Sequence, residues 1–106
     1  MSGQGHGDHS DHGHDDLAPL LMAAGRGDEA AWREVVARYG RRVFALAKSR
    51  CRDSNVAEDI TQSVFATVSS KLGSGEYAEH GRFESWLFRV AMNRVRDHLR
   101  RVRRRH

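Results

Sequence analysis

The chain has 106 residues, enough for one small domain, and the 39% that are hydrophobic include enough aromatic residues for a compact core, which argues against wholesale disorder. A single cysteine excludes an intrachain disulfide framework, and no apolar run approaches the roughly 20 residues that a membrane-spanning helix needs. Charge is uneven: residues 1–24 contain four Asp and no Lys or Arg, whereas residues 82–106 contain nine Arg against two acidic residues. These features predict a cytoplasmic protein, without a membrane partner, that attracts polyanions.

Residues 1–16, MSGQGHGDHSDHGHDD, contain almost nothing that can be buried, which predicts a disordered tail. Imidazole and carboxylate are ordinary ligands of divalent metals, so the alternating His and Asp of this tail provide a candidate metal site. A tail without fixed geometry favours adventitious binding or none, so no cofactor is predicted. The histidines concerned are His6, His9, His12 and His14.

The folded domain is predicted to span residues 17–106. It opens with a short apolar helix over residues 17–24, which two glycines end. Asp28 can cap the next helix, which is predicted to end near Cys51. Apolar residues recur along this second helix at three- and four-residue spacing and form one face: Trp32, Val35, Val36, Tyr39, Val43, Phe44, Leu46 and Ala47.

A third helix is predicted to begin at Asn55, whose side chain can cap it while Glu58 reaches back as in a capping box. Its polar face contains Glu58, Asp59, Gln62 and Ser63. Gly73-Ser74-Gly75 is predicted to break the helix, and a loop follows as far as Gly81. The apolar face is a four-residue ladder that must pack on the second helix: Val56, Ile60, Val64, Val68 and Leu72, widened by Ala57 and Phe65.

The last helix is predicted to start near Arg82. Its first half buries Phe83, Trp86, Leu87 and Val90, whereas its second half keeps only a thin apolar line. On its polar side one amide lies within a row of guanidinium groups, which suits a phosphate backbone with one hydrogen-bonding probe for a base or sugar. That row is Arg89, Asn93, Arg96, Arg100 and Arg103.

The predicted fold is therefore all-α, a compact bundle of three main helices plus a short N-terminal one. Catalysis is not predicted, because Cys51 has no His partner in an interpretable motif and His98 has no nearby nucleophile. No Gly-rich phosphate loop or pair of catalytic carboxylates occurs in the sequence.

Three phrases in order resemble the second conserved region of extracytoplasmic-function (ECF) sigma factors of the sigma-70 family. They are GDEAAW with RYGRRVFALA, then AEDITQSVF, and finally RFESWLFRVAMNRVRDHLRR. The resemblance covers residues 17–105. It implies a transcription initiation factor domain that binds RNA polymerase core and recognises and melts the −10 promoter element.

In that family the AED-type helix docks on the clamp helices of the polymerase beta-prime subunit. Asp59 and Gln62 match its usual contact residues, and Glu58 and Ser63 lie on the same face. The family often has an acidic residue at the position of Ser63, so the resemblance implies a weaker or rearranged contact there.

The resemblance also implies contacts with the non-template strand of promoter DNA. The loop from Gly73 to Gly81 corresponds to one that captures an unstacked base, and Asn93 and Asp97 match polar positions that face the −10 bases. Tyr77 and His80 are candidates for stacking or hydrogen bonding, although a loop this polar also allows both to lie in solvent. Trp86 is better explained as core than as a melting wedge.

Several questions stay open from sequence. Full-length family members have a second domain that reads the −35 element, and this chain stops before any such segment, as a fragment or as a single-domain protein. An anti-sigma factor is a further candidate partner. Two alternative functions remain: a helical nucleic-acid-binding protein without a polymerase partner, and a metal-binding protein that acts through the His-rich tail.

Overall fold

The structure is a computed structural model that describes the backbone of residues 9–77 and 81–105, and the side chains of those ranges from Leu17 onward. Four helices follow one another: α1 (His9–Gly25), α2 (Glu29–Cys51), α3 (Ser54–Ser74) and α4 (Phe83–Arg105). This confirms the predicted all-α bundle. Helix α1 differs from the short helix predicted, because it begins at His9, inside the segment expected to be a tail.

Helices α2 and α3 pack on each other, and both α1 and α4 pack against the two of them. The predicted apolar faces form the core, in which Val35, Val43, Val64 and Val68 are wholly buried. In α4, Phe83 and Leu87 are buried as predicted, whereas Trp86 and Val90 are half-buried against the core. The buried ladder of α4 repeats every four residues: Phe83, Leu87, Ala91 and Val95.

The two central helices, α2 and α3, each begin after an aspartate that caps the helix. The Asp28 carboxylate accepts a hydrogen bond from the backbone N–H of Ala31 at 3.1 Å and caps α2 as predicted. The predicted cap of α3 at Asn55 is wrong. Asp53 caps this helix, because its carboxylate accepts from the N–H groups of Asn55 at 2.9 Å and Val56 at 3.2 Å. Asn55 and Glu58 therefore lie inside the helix, and a capping box is not needed.

The turn between α2 and α3 contains a non-glycine residue whose backbone has the left-handed helical conformation. Arg52 has φ of 59° and ends α2, with its N–H donating to the Lys48 carbonyl at 2.8 Å. Glycine adopts this conformation without the penalty that a Cβ atom brings. Arg52→Gly should therefore raise the free energy of unfolding by about 0.5–1 kcal/mol, as measured by urea unfolding. Arg50→Gly, inside the last turn of α2, is the control and should lower it, since glycine costs about 1 kcal/mol within a helix.

None of the described helices combines the length and the apolar character that crossing a bilayer requires.

Candidate binding surfaces on helices α3 and α4

The polar face of α3 is fully presented to solvent. The side chains of Glu58, Asp59, Gln62 and Ser63 are all exposed, because the opposite side of the helix supplies the core residues. Among the described residues neither Glu58 nor Asp59 forms an ion pair. This surface, which we call the acidic face of α3, therefore has two uncompensated carboxylates and two neutral hydrogen-bonding groups.

A groove of about 350 Å³ separates this face from α4. We call it the α3–α4 groove. Val56 and Ile60 contribute apolar lining. Polar groups border it from both helices: Asp59 and Ser63 from α3, and Arg94, Asp97, His98 and Arg101 from α4.

Arg94 is a residue of this groove that the sequence analysis missed. Its side chain is half-buried, and its Nη2 donates to the hydroxyl Oγ1 of Thr67 on α3. Its Nε is buried and has no hydrogen-bond partner among the described residues. A signal was present in the sequence: Arg94 follows the buried Leu87 by seven residues, two helical turns, and so lies near the buried side of α4.

The predicted row of four arginines and one asparagine on α4 is exposed along its whole length. At about 100° of rotation per residue, its five positions fall within an arc of about 80°, opposite the buried ladder of the helix. We call this surface the arginine stripe; it consists of Arg89, Asn93, Arg96, Arg100 and Arg103, all of which are exposed.

Two contacts organise the polar groups around the arginine stripe. The Nη1 of Arg96 donates to the Oδ1 of Asn93 at 3.4 Å, and the Nη2 of Arg100 donates to the half-buried carboxylate of Asp97. Asp97 thus neutralises one guanidinium group. Arg89 and Arg103 form no ion pair with any described residue, so they leave positive charge available to an anionic ligand.

Helix α3 ends within the predicted Gly73-Ser74-Gly75 break: it continues to Ser74, and Gly75 caps it with φ of 79°. Tyr77 is half-buried in the loop that follows rather than surrounded by solvent, and its ring contacts those of Trp86 and Phe83, with centroids 4.7 and 5.8 Å away. The predicted base contact by His80 falls outside the described residues.

Two contacts between α2 and α4 were not indicated by any sequence pattern. The Nη1 of Arg42 lies 3.5 Å from the carboxylate of Glu84, and its guanidinium group lies 5.0 Å from the ring centroid of Phe88. Burial, with the Glu84 carboxylate as a second cause, raises the pKa of Tyr39. These contacts join α2 to the start of α4, beside the buried Phe83 and Leu87.

The structure also describes the only cysteine of the sequence and the surroundings of the candidate metal ligands from Leu17 onward. Cys51 is half-buried, and burial followed by the Asp53 carboxylate raises the pKa of its thiol, which disfavours the nucleophilic thiolate. No described side chains form a cluster of three or more candidate metal ligands. The histidines His6, His9, His12 and His14 belong to the side chains that the structure does not describe, so the metal hypothesis for them stays a prediction.

Comparison with known proteins gives a consistent set of relatives. The family model described as Sigma-70 region 2 matches residues 35–105. The ECF RNA polymerase sigma factor SigM of Mycobacterium tuberculosis is 34% identical over 86 residues, which are 81% of this chain and 43% of that protein. The ECF RNA polymerase sigma factor SigE of Mycolicibacterium smegmatis is 37% identical over 78 residues, 71% of this chain and 29% of that protein.

A third relative is the RNA polymerase sigma-H factor of Pseudomonas aeruginosa, which is 30% identical over 80 residues, 76% of this chain and 40% of that protein. The chain thus spans less than half the length of these curated relatives. No solved structure gives a significant match.

Proposed function

This chain belongs to the sigma-70 region 2 family, in its extracytoplasmic-function branch, and from that premise we propose that it binds RNA polymerase core through α3 and opened promoter DNA through α4. In this proposal the chain performs no chemistry of its own. It keeps the −10 element open and in place, and the polymerase makes the bonds.

The proposed polymerase contact is the acidic face of α3 on the beta-prime clamp helices. Asp59 and Gln62, which match the contact residues of the family, are exposed one helical turn apart and are free of intramolecular ion pairs among the described residues. Ser63, next to them, offers a hydroxyl group in place of a carboxylate. A surface that keeps its carboxylates unpaired is suited to a partner that brings cations or N–H donors.

The proposed DNA contact is the arginine stripe of α4 on the non-template strand. Guanidinium groups that neutralise phosphates release condensed counterions, which gives affinity without sequence preference. Asn93 is the one uncharged member of the stripe, and an amide can discriminate between bases. We also propose that the loop before α4 captures an unstacked base, with Tyr77 and His80 as its candidate contacts.

One observation supports this function over a general nucleic-acid-binding role: two surfaces of opposite charge lie on adjacent helices. The cationic stripe suits DNA, whereas Glu58 and Asp59 would repel a phosphate backbone. A protein that only bound nucleic acid would gain nothing from the acidic face of α3. A second, protein partner accounts for it.

The test is the affinity of the chain for bacterial core RNA polymerase. Asp59→Ala combined with Gln62→Ala should weaken binding about tenfold, roughly 1.4 kcal/mol, because both side chains are exposed contacts whose removal leaves the core intact. Binding is measured by fluorescence anisotropy of the labelled chain, and circular dichroism checks its helix content.

Glu29→Ala, at the exposed start of α2, removes one carboxylate elsewhere and serves as the control, which should bind as the wild type does. Equal affinity of the double variant and the wild type would show that docking does not use this face. Failure of the wild-type chain to bind core polymerase would contradict the proposed function as a whole.

A further inference from the structure

The α3–α4 groove adjoins the acidic face of α3 but has a wall of opposite charge. Asp59 and Ser63 belong both to that face and to the groove, so a partner docked over these two residues lies at the groove opening. Across the groove, α4 presents Arg94 and Arg101, which lie on one side of the helix because seven residues make two turns. The groove is therefore continuous with the proposed docking surface and extends it onto α4.

Arg94 is held in position but incompletely bonded. Its Nη2 donates to Thr67, which fixes the guanidinium group against α3. Its Nε is buried and has no acceptor among the described residues. Because Nε is buried, a ligand in the groove cannot reach it, and Arg94 can bind such a ligand only through the rest of its half-buried guanidinium group, which lines the groove.

The acidic groups in the groove do not neutralise its cationic wall. Asp97 is paired with Arg100, on the stripe side. Asp59 forms no ion pair with any described residue, although it lines the same groove as Arg94 and Arg101. The α4 wall of the groove thus carries Arg94 and Arg101 together with Asp97, which is already paired with Arg100, and the α3 wall carries the unpaired carboxylate of Asp59.

A protein segment complements this arrangement better than a nucleic acid does. A planar guanidinium group matches the geometry of a carboxylate, so an Asp or Glu side chain suits the α4 wall. A neighbouring Lys or Arg on the same segment would meet Asp59. The charged groups of a DNA strand are all phosphates, and Asp59 repels them.

We propose that the α3–α4 groove is part of the polymerase-docking surface and receives a carboxylate side chain of the polymerase, bound by Arg94 and Arg101. This inference rests on the proposed docking through α3. It assigns to two arginines of α4 a role in binding protein. The charge pattern of α4 alone does not distinguish these two arginines from those of the stripe that is proposed to bind DNA.

The experiment compares Arg101→Glu with Arg103→Glu. Both residues are exposed near the end of α4 and both variants change the charge equally, but Arg101 borders the groove and Arg103 belongs to the arginine stripe. Arg101→Glu should weaken binding to core polymerase about tenfold, because it places a carboxylate against a carboxylate, whereas Arg103→Glu should change it less than about twofold. Binding of the free chain to a single-stranded oligonucleotide should show the reverse order.

Arg94→Lys provides a second test, since lysine keeps the positive charge but lacks the planar group of N–H donors. It should also weaken polymerase binding, and combining it with Arg101→Glu should cost less than the sum of the single losses, as expected when both contact one carboxylate. A thermal unfolding curve for each variant separates loss of contact from loss of fold.

Three outcomes would overturn the inference: equal loss of polymerase binding in Arg101→Glu and Arg103→Glu, no loss in either, or loss of DNA binding alone in Arg101→Glu. The double variant at Asp59 and Gln62 distinguishes docking through the acidic face of α3 from docking in the groove. If that variant loses polymerase binding and Arg101→Glu does not, docking through α3 stands and the groove is not part of it. If neither loses binding, docking through α3 fails as well.

Discussion

Gly25→Ala is expected to lower the free energy of unfolding by about 1–3 kcal/mol, as overpacking of a closely packed contact does. Gly25 lies in the last turn of α1, where that helix passes close to the end of α3. A Cβ atom at this position would lie 2.7 Å from the carbonyl oxygen of Leu72 and 3.3 Å from its carbonyl carbon. Because both atoms belong to the backbone, neither can rotate away, and the two helices must separate.

The sign of this effect is informative, since helix propensity alone predicts the opposite. Alanine is favoured over glycine by about 1 kcal/mol in a helix interior. Gly40→Ala is the matched control: it lies inside α2, and the atom nearest to a new Cβ would be the Val36 Cγ1 at an ordinary 3.6 Å. It should raise the free energy of unfolding by about 0.5–1 kcal/mol. Urea unfolding of both variants gives the comparison.

A Gly25→Ala variant as stable as the wild type would show that α1 and α3 do not approach so closely. The approach also concerns function, because the loop before α4 is attached at the same place. Gly75 caps α3, the N–H of Tyr77 donates to the Lys71 carbonyl at 3.2 Å, and the Lys71 ammonium pairs with Glu76 at 2.6 Å. Displacing the end of α3 would therefore displace the loop that is proposed to capture a base.

Helices α2 to α4 could be predicted from sequence because each one has a regular apolar period, and α2 also has a clear boundary signal. Val35, Tyr39 and Val43 repeat every four residues, and Asp28 precedes them as a cap. The start of α3 was predicted wrongly: Asn55 with Glu58 matched a known motif, but Asp53 is the residue whose backbone is extended, with ψ of 118°. Side-chain type alone does not determine which residue leaves the helix.

The start of α1 was not predicted, because composition describes what a segment can bury and does not exclude a helical backbone. The segment before Leu17 contains Gly, His and Asp, which are weak helix formers. Leu17 and Leu21 are nevertheless buried, and the helix that contains them begins at His9.

The candidate surfaces could be predicted only as far as one helix determines them. The arginine stripe is visible in the sequence because its members share one side of α4. Arg94 and Arg96 are the same residue type on the same helix, yet Arg94 contacts Thr67 across the bundle and Arg96 contacts Asn93 on its own helix. The pair formed by Arg42 and Glu84 likewise joins residues far apart in the chain. Such contacts depend on how the helices pack.

Asn93→Ala should separate base recognition from simple attraction of phosphates. Asn93 is exposed within the arginine stripe, while Ala91 and Val95 beside it are buried and hold its backbone in place. Its Oδ1 accepts a weak hydrogen bond from Arg96, which orients the amide. If this amide reads a base, its removal should cost about 1–3 kcal/mol of discrimination between sequences and leave the salt dependence nearly unchanged.

The measurement uses the complex with core polymerase and two single strands of equal length. One strand is selected by that complex from a random-sequence pool, and the other is its scrambled version in the same buffer. Arg89→Ala is the control, because Arg89 belongs to the same stripe and can contact only phosphate or sugar in this proposal. It should weaken binding to both strands alike. It should also reduce the slope of log affinity against log salt by about 0.7, the value for one phosphate contact on a single strand.

The two variants are therefore expected to change different quantities. Asn93→Ala changes the ratio of the two affinities at a constant salt slope, whereas Arg89→Ala changes the slope at a constant ratio. If Asn93→Ala weakens binding to both strands equally, or changes binding to neither, the amide does not read the sequence. In that case α4 acts as an electrostatic clamp through its unpaired arginines, and sequence recognition has to come from the loop between Gly75 and α4, whose residues lie closest in the chain to that helix.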